Sequence, residues 1–436
     1  MPSRRNSRNS DCPVANRFTP TAPLYSHCTT LWVFLSQVLR EDHSCRDAVA
    51  RLLAWRIGRG LKPISTNNGA YCQARQRLPE KLLTRLMQWT GQQLHDDVPE
   101  EWLWHGRPVK LGDGSTVSMP DTPENTVTFG KPANQKGGGR FPVARIVVIL
   151  CLATGAAMEM AVGRCGGKGT GELSLFRTLL DSFSSGDVLL ADRFFCTYCD
   201  IAQLQSRSVD VVMRQHSSRK SDFRRGTRLG KDDHVVLWHK PQRCPKSLAP
   251  DVFALLPETL TLREVRVRLE KRGYRTKSLV LVTTLTDATE FPKADIQDLY
   301  RQRWHVEVDL RSIKDVLQMD VLRCETPEMV RKEMWVHLLA WNLLRSVMCS
   351  ASDHTDVAVR KFSFKGTKQL LMAMLGQLTT SVGEPLSKLV DALLTAVQQH
   401  RVGNRPNRSE PRKRKRPPKP YPALKKPRDV ERKLCD

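Results

Sequence analysis

The residues best placed to do chemistry lie in one stretch, YRQRWHVEVDLRSIK, which has the periodicity of a helix. At about 100° per residue, four polar side chains of this stretch fall within an arc of roughly 60°. They form one stripe along the helix: Tyr300, Arg303, Glu307 and Lys314. Apolar residues border the stripe, so it lies at the rim of the buried face. A carboxylate flanked by guanidinium, ammonium and phenol groups is typical of a phosphate-binding site built around one hard oxygen ligand.

Two further carboxylates end apolar segments whose pattern predicts strands. Asp113 closes the segment KLGD, and Asp192 closes VLLAD. A carboxylate at the end of a buried strand is costly unless it is paired or binds a cation. The alternative for each is a loop cap. Asp121 and Asp187 are rival acids, but both stand in turn-like contexts, so we favour the strand-end pair.

Three carboxylates from two strands and a helix suit a pair of divalent metal ions. Mg²⁺ prefers a few carboxylates together with substrate phosphate oxygens over a cage made of protein ligands alone. Two such ions about 4 Å apart can activate the attacking oxygen and stabilise the leaving oxygen of an in-line phosphoryl transfer. The residue types therefore predict metal-dependent chemistry on a phosphate, with Asp113, Asp192 and Glu307 as the metal ligands.

Together these motifs resemble those of the DDE transposases of the insertion-sequence-four family. The helix signature of that family is Tyr, two residues, Arg, three residues, Glu, six residues and Lys, which the stripe matches without a gap. Its first acid stands in an Asp-Gly-Ser/Thr context, as Asp113 does. Its second stands in an Asp-Arg-aromatic context, as Asp192 does. The resemblance covers roughly residues 100–345.

The resemblance implies an RNase H-like catalytic core with a β-rich insertion between the second Asp and the Glu. It implies that Asp113, Asp192 and Glu307 bind two Mg²⁺ ions, for which Mn²⁺ can substitute. Water would first cut the end of the element, and the freed 3′-OH would then attack target DNA. The other members of the stripe would hold the backbone phosphate near the cleaved end: Tyr300, Arg303 and Lys314.

The partners implied by the resemblance are the terminal inverted repeats of the element and the target DNA, bound by a dimer that holds two DNA ends. In some members of the family an aromatic residue of the insertion stacks on a flipped base, and Trp238 is the candidate here. The alternative for Trp238 is a tryptophan buried in a strand. Two other functions stay open: an inactive transposase-derived DNA-binding protein, and an RNase H-like nuclease without strand transfer.

The rest of the sequence supplies the elements that must position these residues, and it predicts an α/β fold. From about residue 107 the order is three strands, helix, strand, helix, strand. The segment DVLLADRFF is apolar on both faces, as expected of a central parallel strand. One long helix is predicted from about Asp295 to Met319. We therefore expect a mixed sheet flanked by helices.

Six parts are expected along the chain. They are a helical N-terminal DNA-binding region (1–100), the first part of the core (101–219), a β-rich insertion (220–290), completing core helices (291–348), a C-terminal helical region (349–400) and a basic tail (401–436). The tail cannot bury a core, so we expect it to be disordered. The N-terminal helices fit either a helix-turn-helix DNA reader or a plain helical bundle.

The charge of the chain indicates the class of its partner. The 436 residues include 70 Lys and Arg against 45 Asp and Glu, a formal net charge of +25. Such an excess indicates a polyanion, nucleic acid before a membrane surface. Residues 214–231 carry seven basic groups against one Asp, which predicts a segment that follows the DNA, with a solvated loop as the alternative. The Gly-rich segment FGKPANQKGGGRFP predicts a hairpin loop.

The hydropathy of the sequence indicates that this is not a membrane protein. The longest apolar stretch, from Ile146 to Met158, is shorter than the roughly 20 residues that a membrane helix needs. The basic N-terminus lacks the apolar core of a secretory signal. We therefore expect a cytoplasmic, nucleoid-associated protein with no membrane partner.

Overall fold

The structure is a computed structural model that describes residues 24–132, 141–167, 169–268 and 278–403. Two predictions lie outside these ranges: disorder of the basic tail, beyond its first three residues, and most of the Gly-rich hairpin loop. Among the described residues, no helix is both long and apolar enough to cross a bilayer.

Four helices form the N-terminal part of the described chain. They are α1 (His27–Leu39), α2 (Cys45–Gly58), α3 (Gly69–Arg77) and α4 (Glu80–Asp96). Val33, Val49 and Tyr71 belong to a small core that the first three helices share. The connection between α2 and α3 spans residues 59–68. It is longer than the roughly three to four residues of a helix-turn-helix turn, so this pair lacks that turn, and the choice between a DNA reader and a bundle stays a prediction.

Within the described residues, nine strands form one mixed sheet. They are β1 (Val109–Ser118), β2 (Val143–Cys151), β3 (Ala157–Arg164), β4 (Val188–Ala191), β5 (Asp210–Arg214), β6 (Thr227–Gly230), β7 (Asp233–His239), β8 (Thr259–Arg268) and β9 (Ser278–Thr283). Their order across the sheet is β3-β2-β1-β4-β5-β9-β8-β7-β6. The neighbours β1, β4 and β5 run parallel, and the other neighbouring pairs are antiparallel.

Strand β4 lies between β1 and β5 and is buried on both faces, as its sequence predicts. Gly112 of β1 is opposite Ala191, which is in turn opposite Met213 of β5. Leu189 and Leu190 face different cores, because successive side chains of a strand point to opposite faces. The three parallel strands are therefore in register where β4 ends.

The strands of the predicted β-rich segment continue this same sheet. Strand β9 pairs antiparallel with β5, with Met213 opposite Val282, and β8, β7 and β6 follow outward. Leu281 and Val282, which point to opposite faces, are both buried. Backbone hydrogen bonds between β5 and β9 therefore set the position of the segment relative to the core.

Helices cover both faces of the sheet. The remaining ones are α5 (Pro123–Phe129), α6 (Glu172–Arg177), α7 (Tyr198–Gln205), α8 (Pro250–Ala254), α9 (Lys293–Gln302), α10 (Trp304–Asp315), α11 (Pro327–Ser352), α12 (Phe364–Thr380) and α13 (Glu384–Gln399). Helices α6 and α7 share a core with Leu189, whereas α9, α10 and α11 share the opposite core with Leu190. The predicted α/β class is confirmed as a large mixed sheet flanked by helices.

The prediction of one continuous helix from Asp295 to Met319 is wrong, because two helices meet at Arg303. The N–H of Arg303 bonds to the carbonyl of Tyr300, and the N–H of Val306 bonds to the carbonyl of Arg303. Both bonds reach three residues back instead of four, which tightens the backbone locally. Neither helix contains Pro or Gly, so the sequence carries no signal for the break.

Helix α11 joins the N-terminal helices to the rest of the molecule. The ammonium of Lys332 donates to the carbonyl of Gln76, at the end of α3, at 2.7 Å. Arg331 pairs with Glu80, the first residue of α4, at 3.0 Å. Polar contacts therefore fix the bundle on a helix that also packs against the sheet.

Candidate active site

The strand register brings Asp113 and Asp192 side by side. Gly112 and Ala191 are paired neighbours on the parallel strands β1 and β4, and each acid is the next residue along its chain. Neighbouring strands lie about 4.8 Å apart, and paired residues point to the same face of a sheet. Both carboxylates therefore emerge on the face that α10 covers, at the point where β4 ends.

Gly114 explains why the first acid stands before a glycine. A Cβ at this position would lie 2.7 Å from Cδ of Glu172, the first residue of α6. That distance is shorter than real Cβ contacts, so a larger residue would displace either β1 or the Glu172 side chain. The backbone N–H of Gly114 also donates to Oδ1 of Asp113 at 2.8 Å. The glycine thus leaves room for the Glu172 side chain, and the backbone N–H at this position orients the acid.

Asp113 is electrostatically coupled to the other two acids. Burial raises its pKa to about 6, and the charges of Asp192 and Glu307 act in the same direction. The Gly114 N–H and the guanidinium of Arg303 oppose the rise. Asp192 and Glu307 therefore lie within electrostatic range of Asp113, and their meeting in one metal site stays a prediction.

Glu307 lies in the first turn of α10, next to the break that precedes this helix. Its Oε1 accepts a hydrogen bond from Nη2 of Arg303 at 2.6 Å. Burial alone would lower the pKa of Arg303, but the bonded Glu307 and the nearby charges raise it above its usual value. Arg303 therefore stays charged between the helix acid and the strand acids.

Tyr300 completes the group on the sheet side of α9. Burial raises the pKa of its phenol to about 12, and the charge of Asp192 adds to this rise. Arg303 and Arg214 act in the opposite direction, and the Arg303 guanidinium carbon lies 5.9 Å from the centre of the phenol ring. Tyr300 is therefore a neutral donor beside the acids.

Lys314 lies on the same helix, about two turns beyond Glu307. Its ammonium pairs with Oδ1 of Asp320 at 2.8 Å. The carbonyl of Asp320 accepts hydrogen bonds from the backbone and hydroxyl of Ser118, the last residue of β1. Lys314 thus marks the far end of the stripe, above the end of the strand that carries Asp113.

The rival acids of the sequence are occupied elsewhere. Asp187 is buried at the start of β4 and pairs with the buried ammonium of Lys110 at 2.7 Å. Asp121 pairs with Lys131 at 2.7 Å. These contacts are those of structural ion pairs, which supports the choice of the strand-end acids.

Trp238, the candidate for base stacking, is a buried residue of β7. Its side chain is 3% exposed, and its indole N–H donates to Oε1 of Glu264 at 2.9 Å. The guanidinium of Arg219 lies 3.7 Å from the centre of the ring and covers one face. Stacking on a base therefore stays a prediction, and it requires Arg219 to move aside.

Arg214 is a member of the site that the sequence analysis left in a general basic run. It is the last residue of β5 and follows Met213, the partner of Ala191. Asp113, Asp192 and Arg214 therefore succeed three paired residues on three adjacent parallel strands. The usable signal was that two short apolar segments, VLLA and VVM, are each followed directly by a charged residue, Asp192 and Arg214.

The donor set fits a hard divalent cation, although it is not a closed cage. Within the ranges that the structure describes, no three His, Cys, Asp or Glu side chains converge closely enough to form a ready-made metal site. Glu307 is turned towards Arg303, and the pKa of Asp113 is raised mainly by burial, with smaller contributions from Asp192 and Glu307. Open sites of a few carboxylates are typical of Mg²⁺, which takes further oxygens from water and phosphate.

Comparisons with known proteins agree with this chemistry. The family described as "Transposase DDE domain" matches residues 104–343, more than half of the chain. The chain is 28% identical over 408 residues to the transposase InsG of insertion sequence element IS4 from Escherichia coli (strain K12). That match covers 91% of this chain and 86% of the relative.

Two weaker similarities involve other transposases. The transposase of insertion sequence element IS421 from Escherichia coli is 28% identical over 121 residues, which cover 26% of this chain and 31% of the relative. A piggyBac transposase synaptic complex with hairpin DNA, determined by cryo-EM, superposes with a TM-score of 0.43 and 10% identity. This superposition covers 88% of this chain and 77% of the other, and it is too loose to carry an argument.

Proposed function

The chain belongs to the DDE transposases, in the insertion-sequence-four family, and we propose that it performs cut-and-paste transposition with Asp113, Asp192 and Glu307 as catalytic residues. Members of this family are DNA transposases that act by phosphoryl transfer, and this chain is one of them. The observation that best supports the residue assignment is the coupling of three acids from three separate elements. Asp192 and Glu307 both act on the pKa of Asp113.

The three carboxylates would hold the divalent metal of the reaction, which we propose to be two Mg²⁺ ions, replaceable by Mn²⁺. When bound, these ions activate the attacking oxygen and stabilise the leaving oxygen of the transferred phosphate. The protein's own part is to hold the carboxylates at the end of β4 and to keep Arg303 charged beside them. Arg303 keeps further N–H donors for a phosphate while it binds Glu307.

The reaction would proceed in two displacements at phosphorus. In the first, water attacks the phosphate at the element end, the P–O bond to the 3′ oxygen breaks, and a free 3′-OH results. In the second, this 3′-OH attacks a phosphate of target DNA and displaces the target's 3′ oxygen. No covalent intermediate with the protein is needed, so positioning and electrostatic stabilisation would provide the catalysis.

The cations and the phenol around the acids would hold the phosphate in line. Arg303 and Tyr300 lie beside the acids, Arg214 is the last residue of the neighbouring strand β5, and Lys314 lies at the far end of the stripe. All four groups can donate hydrogen bonds to non-bridging phosphate oxygens. Together they would fix the DNA backbone across the three parallel strands.

Further DNA contacts are proposed for the basic segment 214–231. Arg224 and Arg225 are almost fully exposed there and share one acidic neighbour, Asp222, which leaves a positive surface.

The mixed sheet with helices on both faces supports an RNase H-like core with the β-rich segment 220–290 as its insertion. We propose a dimer on DNA, since both ends of an element must be joined in one event.

The decisive experiment uses purified protein, Mg²⁺ and DNA that carries the terminal inverted repeats of its own element. We expect nicking at the ends followed by joining to a target. Nicking without joining would instead indicate an RNase H-like nuclease. Binding without nicking would indicate an inactive, transposase-derived DNA-binding protein.

The same assay tests the residue assignment. Asp192→Ala should abolish cleavage and leave end binding largely intact, because it removes a proposed metal ligand without removing a cation. Asp251→Ala is the matched control, since Asp251 is an exposed acid on α8. Full activity of Asp192→Ala would show that this acid was wrongly assigned.

A further inference from the structure

The break at Arg303 raises the question of what orients α10. Arg303 keeps right-handed helical angles (φ −52°, ψ −29°), but the hydrogen bonds there reach three residues back, so α9 and α10 are not one regular helix. Its first turn carries Glu307, whose position relative to the strand acids depends on how α10 lies. An additional anchor on the side of α10 that faces away from Glu307 would fix this orientation more narrowly.

Asp309 provides such an anchor on the opposite side of the same turn. Its carboxylate is 1% exposed and is held by two guanidinium groups from different elements. Nη2 of Arg345, on α11, donates to Oδ1 at 2.6 Å. Nη1 of Arg360, in the short 3₁₀ turn Val359–Lys361, donates to Oδ2 at 2.5 Å. Asp309 therefore ties α10 to two segments that follow it in the chain.

Arg360 extends the connection to the sheet. Its Nε donates to the carbonyl of Leu152 at 2.8 Å, and its Nη2 donates to the carbonyl of Cys151 at 3.0 Å. Cys151 ends β2 and is opposite Lys110 of β1, the strand that carries Asp113. A chain of short polar contacts thus runs from the strand of one acid to the helix of another.

This buried ion cluster is poorly explained as a source of stability. Taking charges out of water is costly, and well-packed apolar residues in place of a buried ion pair are often neutral or stabilising. Charged hydrogen bonds do, however, define distance and direction much more narrowly than apolar packing. The geometry of the cluster therefore suits a device that fixes orientation.

We propose that Asp309, held by Arg360, is a positioning residue that sets the Glu307 carboxylate against Asp113 and Asp192. This inference rests on the proposed function, because it assumes that Glu307 acts in catalysis. A displacement of about 1 Å in an active site can cost roughly 100-fold in rate. Loss of the tie should therefore affect the chemical step much more than DNA binding.

The test compares Asp309→Asn, Arg360→Met and the double variant. The first alone leaves two buried guanidinium groups without their carboxylate and should lower the melting temperature. The double variant removes one negative and one positive charge together, while the amide oxygen can still accept a bond from Arg345. Its melting temperature should therefore lie above that of Asp309→Asn, which leaves two buried guanidinium groups without a carboxylate instead of one.

The readouts of the double variant separate positioning from stability. Well below the melting temperature, we expect end binding within about twofold of the parent and a cleavage rate at least tenfold lower. Amide hydrogen exchange in α10, measured without metal, should be faster because the helix has lost its anchor. Asp315→Asn, the same change at an exposed position of α10, is the control and should leave all three measurements unchanged.

The outcomes also separate this inference from the proposed function. If the double variant cleaves at the parental rate while Glu307→Gln is inactive, Asp309 has no positioning role and the site assignment stands. If Glu307→Gln is itself fully active, the assignment of the helix acid is wrong, whatever Asp309 does. If the double variant recovers both the melting temperature and the cleavage rate of the parent, the cluster only balances buried charges. That result would overturn the inference.

Discussion

At the scale of single residues, the candidate site combines three acids with unequal surroundings. Asp192 accepts a hydrogen bond from the backbone N–H of Arg193 at 2.7 Å, and Asp113 accepts one from Gly114 at 2.8 Å. Glu307 instead has a charged partner, Arg303. Positive charge near the acids thus comes both from the helix side, through Arg303, and from the strand side, through Arg214.

Lys314 permits a test of phosphate binding away from the acids. Lys314→Ala should weaken the complex with element ends, because it removes one cation from the stripe. The slope of log K against log salt should fall in magnitude by about 0.9, the value expected for the loss of one phosphate contact. Binding to end DNA measured at several salt concentrations gives both quantities.

The control for this experiment is Lys388→Ala. Lys388 is an exposed lysine of α13 whose partner is Glu384, in the same helix. Its removal changes the net charge by the same amount, so its salt slope should match that of the parent. An unchanged slope in Lys314→Ala would argue against a phosphate contact at this position.

At the scale of elements, the sheet and the helices meet closely at Gly91. A Cβ on this residue of α4 would lie 2.1 Å from the carbonyl oxygen of Ala157, the first residue of β3. The amide of Asn342, on α11, bonds to the same carbonyl at 2.9 Å and to Met87 of α4 at 3.1 Å. The contacts around Gly91 therefore join α4, the edge strand β3 and α11.

Gly91→Ala should lower the free energy of unfolding by about 1–3 kcal/mol, because the added methyl group forces α4 away from β3. Gly376→Ala is the control: that glycine is inside α12 with open space around it. It should leave stability unchanged or raise it by up to about 1 kcal/mol, since alanine favours helix. Urea unfolding of both variants distinguishes the two signs, and equal stability of Gly91→Ala and the parent would contradict the close approach.

Elements with strong local patterns were predictable, and those that depend on distant contacts were not. Strand β4 is apolar at every position, so its central place follows from its own residues. The break at Arg303 depends on hydrogen bonds in a stretch without Pro or Gly. The pairing of β9 with β5 joins residues far apart in the chain, so no short window of sequence contains it.

At the scale of the whole molecule, two buried histidines lie where the N-terminal bundle meets α11. The rings of His43 and His337 are 5.7 Å apart. Burial lowers the pKa of His43 to about 3, and interactions with His337, Arg323 and Lys368 act in the same direction. Burial also lowers the pKa of His337. Both rings are therefore neutral in the folded protein.

This arrangement predicts loss of stability in mild acid. The unfolded chain binds protons at these histidines as the pH falls through about 6.5, whereas folded His43 does so only near pH 3. The free energy of unfolding should therefore be highest above pH 6.5 and should decrease as the pH falls. At pH 5, His43 should have lowered it by about 2 kcal/mol, since one pKa unit corresponds to about 1.4 kcal/mol.

Urea unfolding at pH 7.5 and pH 5 measures this difference. His43→Gln should reduce the loss between the two pH values, because glutamine does not titrate. His27→Gln, a change at an exposed histidine of α1, should leave the loss as it is in the parent. Identical losses in the parent and His43→Gln would show that His43 does not couple folding to protons.

The sequence by itself determined the chemistry: the types of the acids and cations, the spacing of the stripe on α9 and α10, the apolar central strand and the positive charge. These are local properties, since period and composition are contained in a few turns or one strand. The tertiary structure decided which groups meet. The register of β1, β4 and β5 aligned Asp113, Asp192 and Arg214, and the sheet buried Trp238 beneath Arg219. These contacts form between residues far apart in the chain, and a local sequence pattern contains no information about their energies.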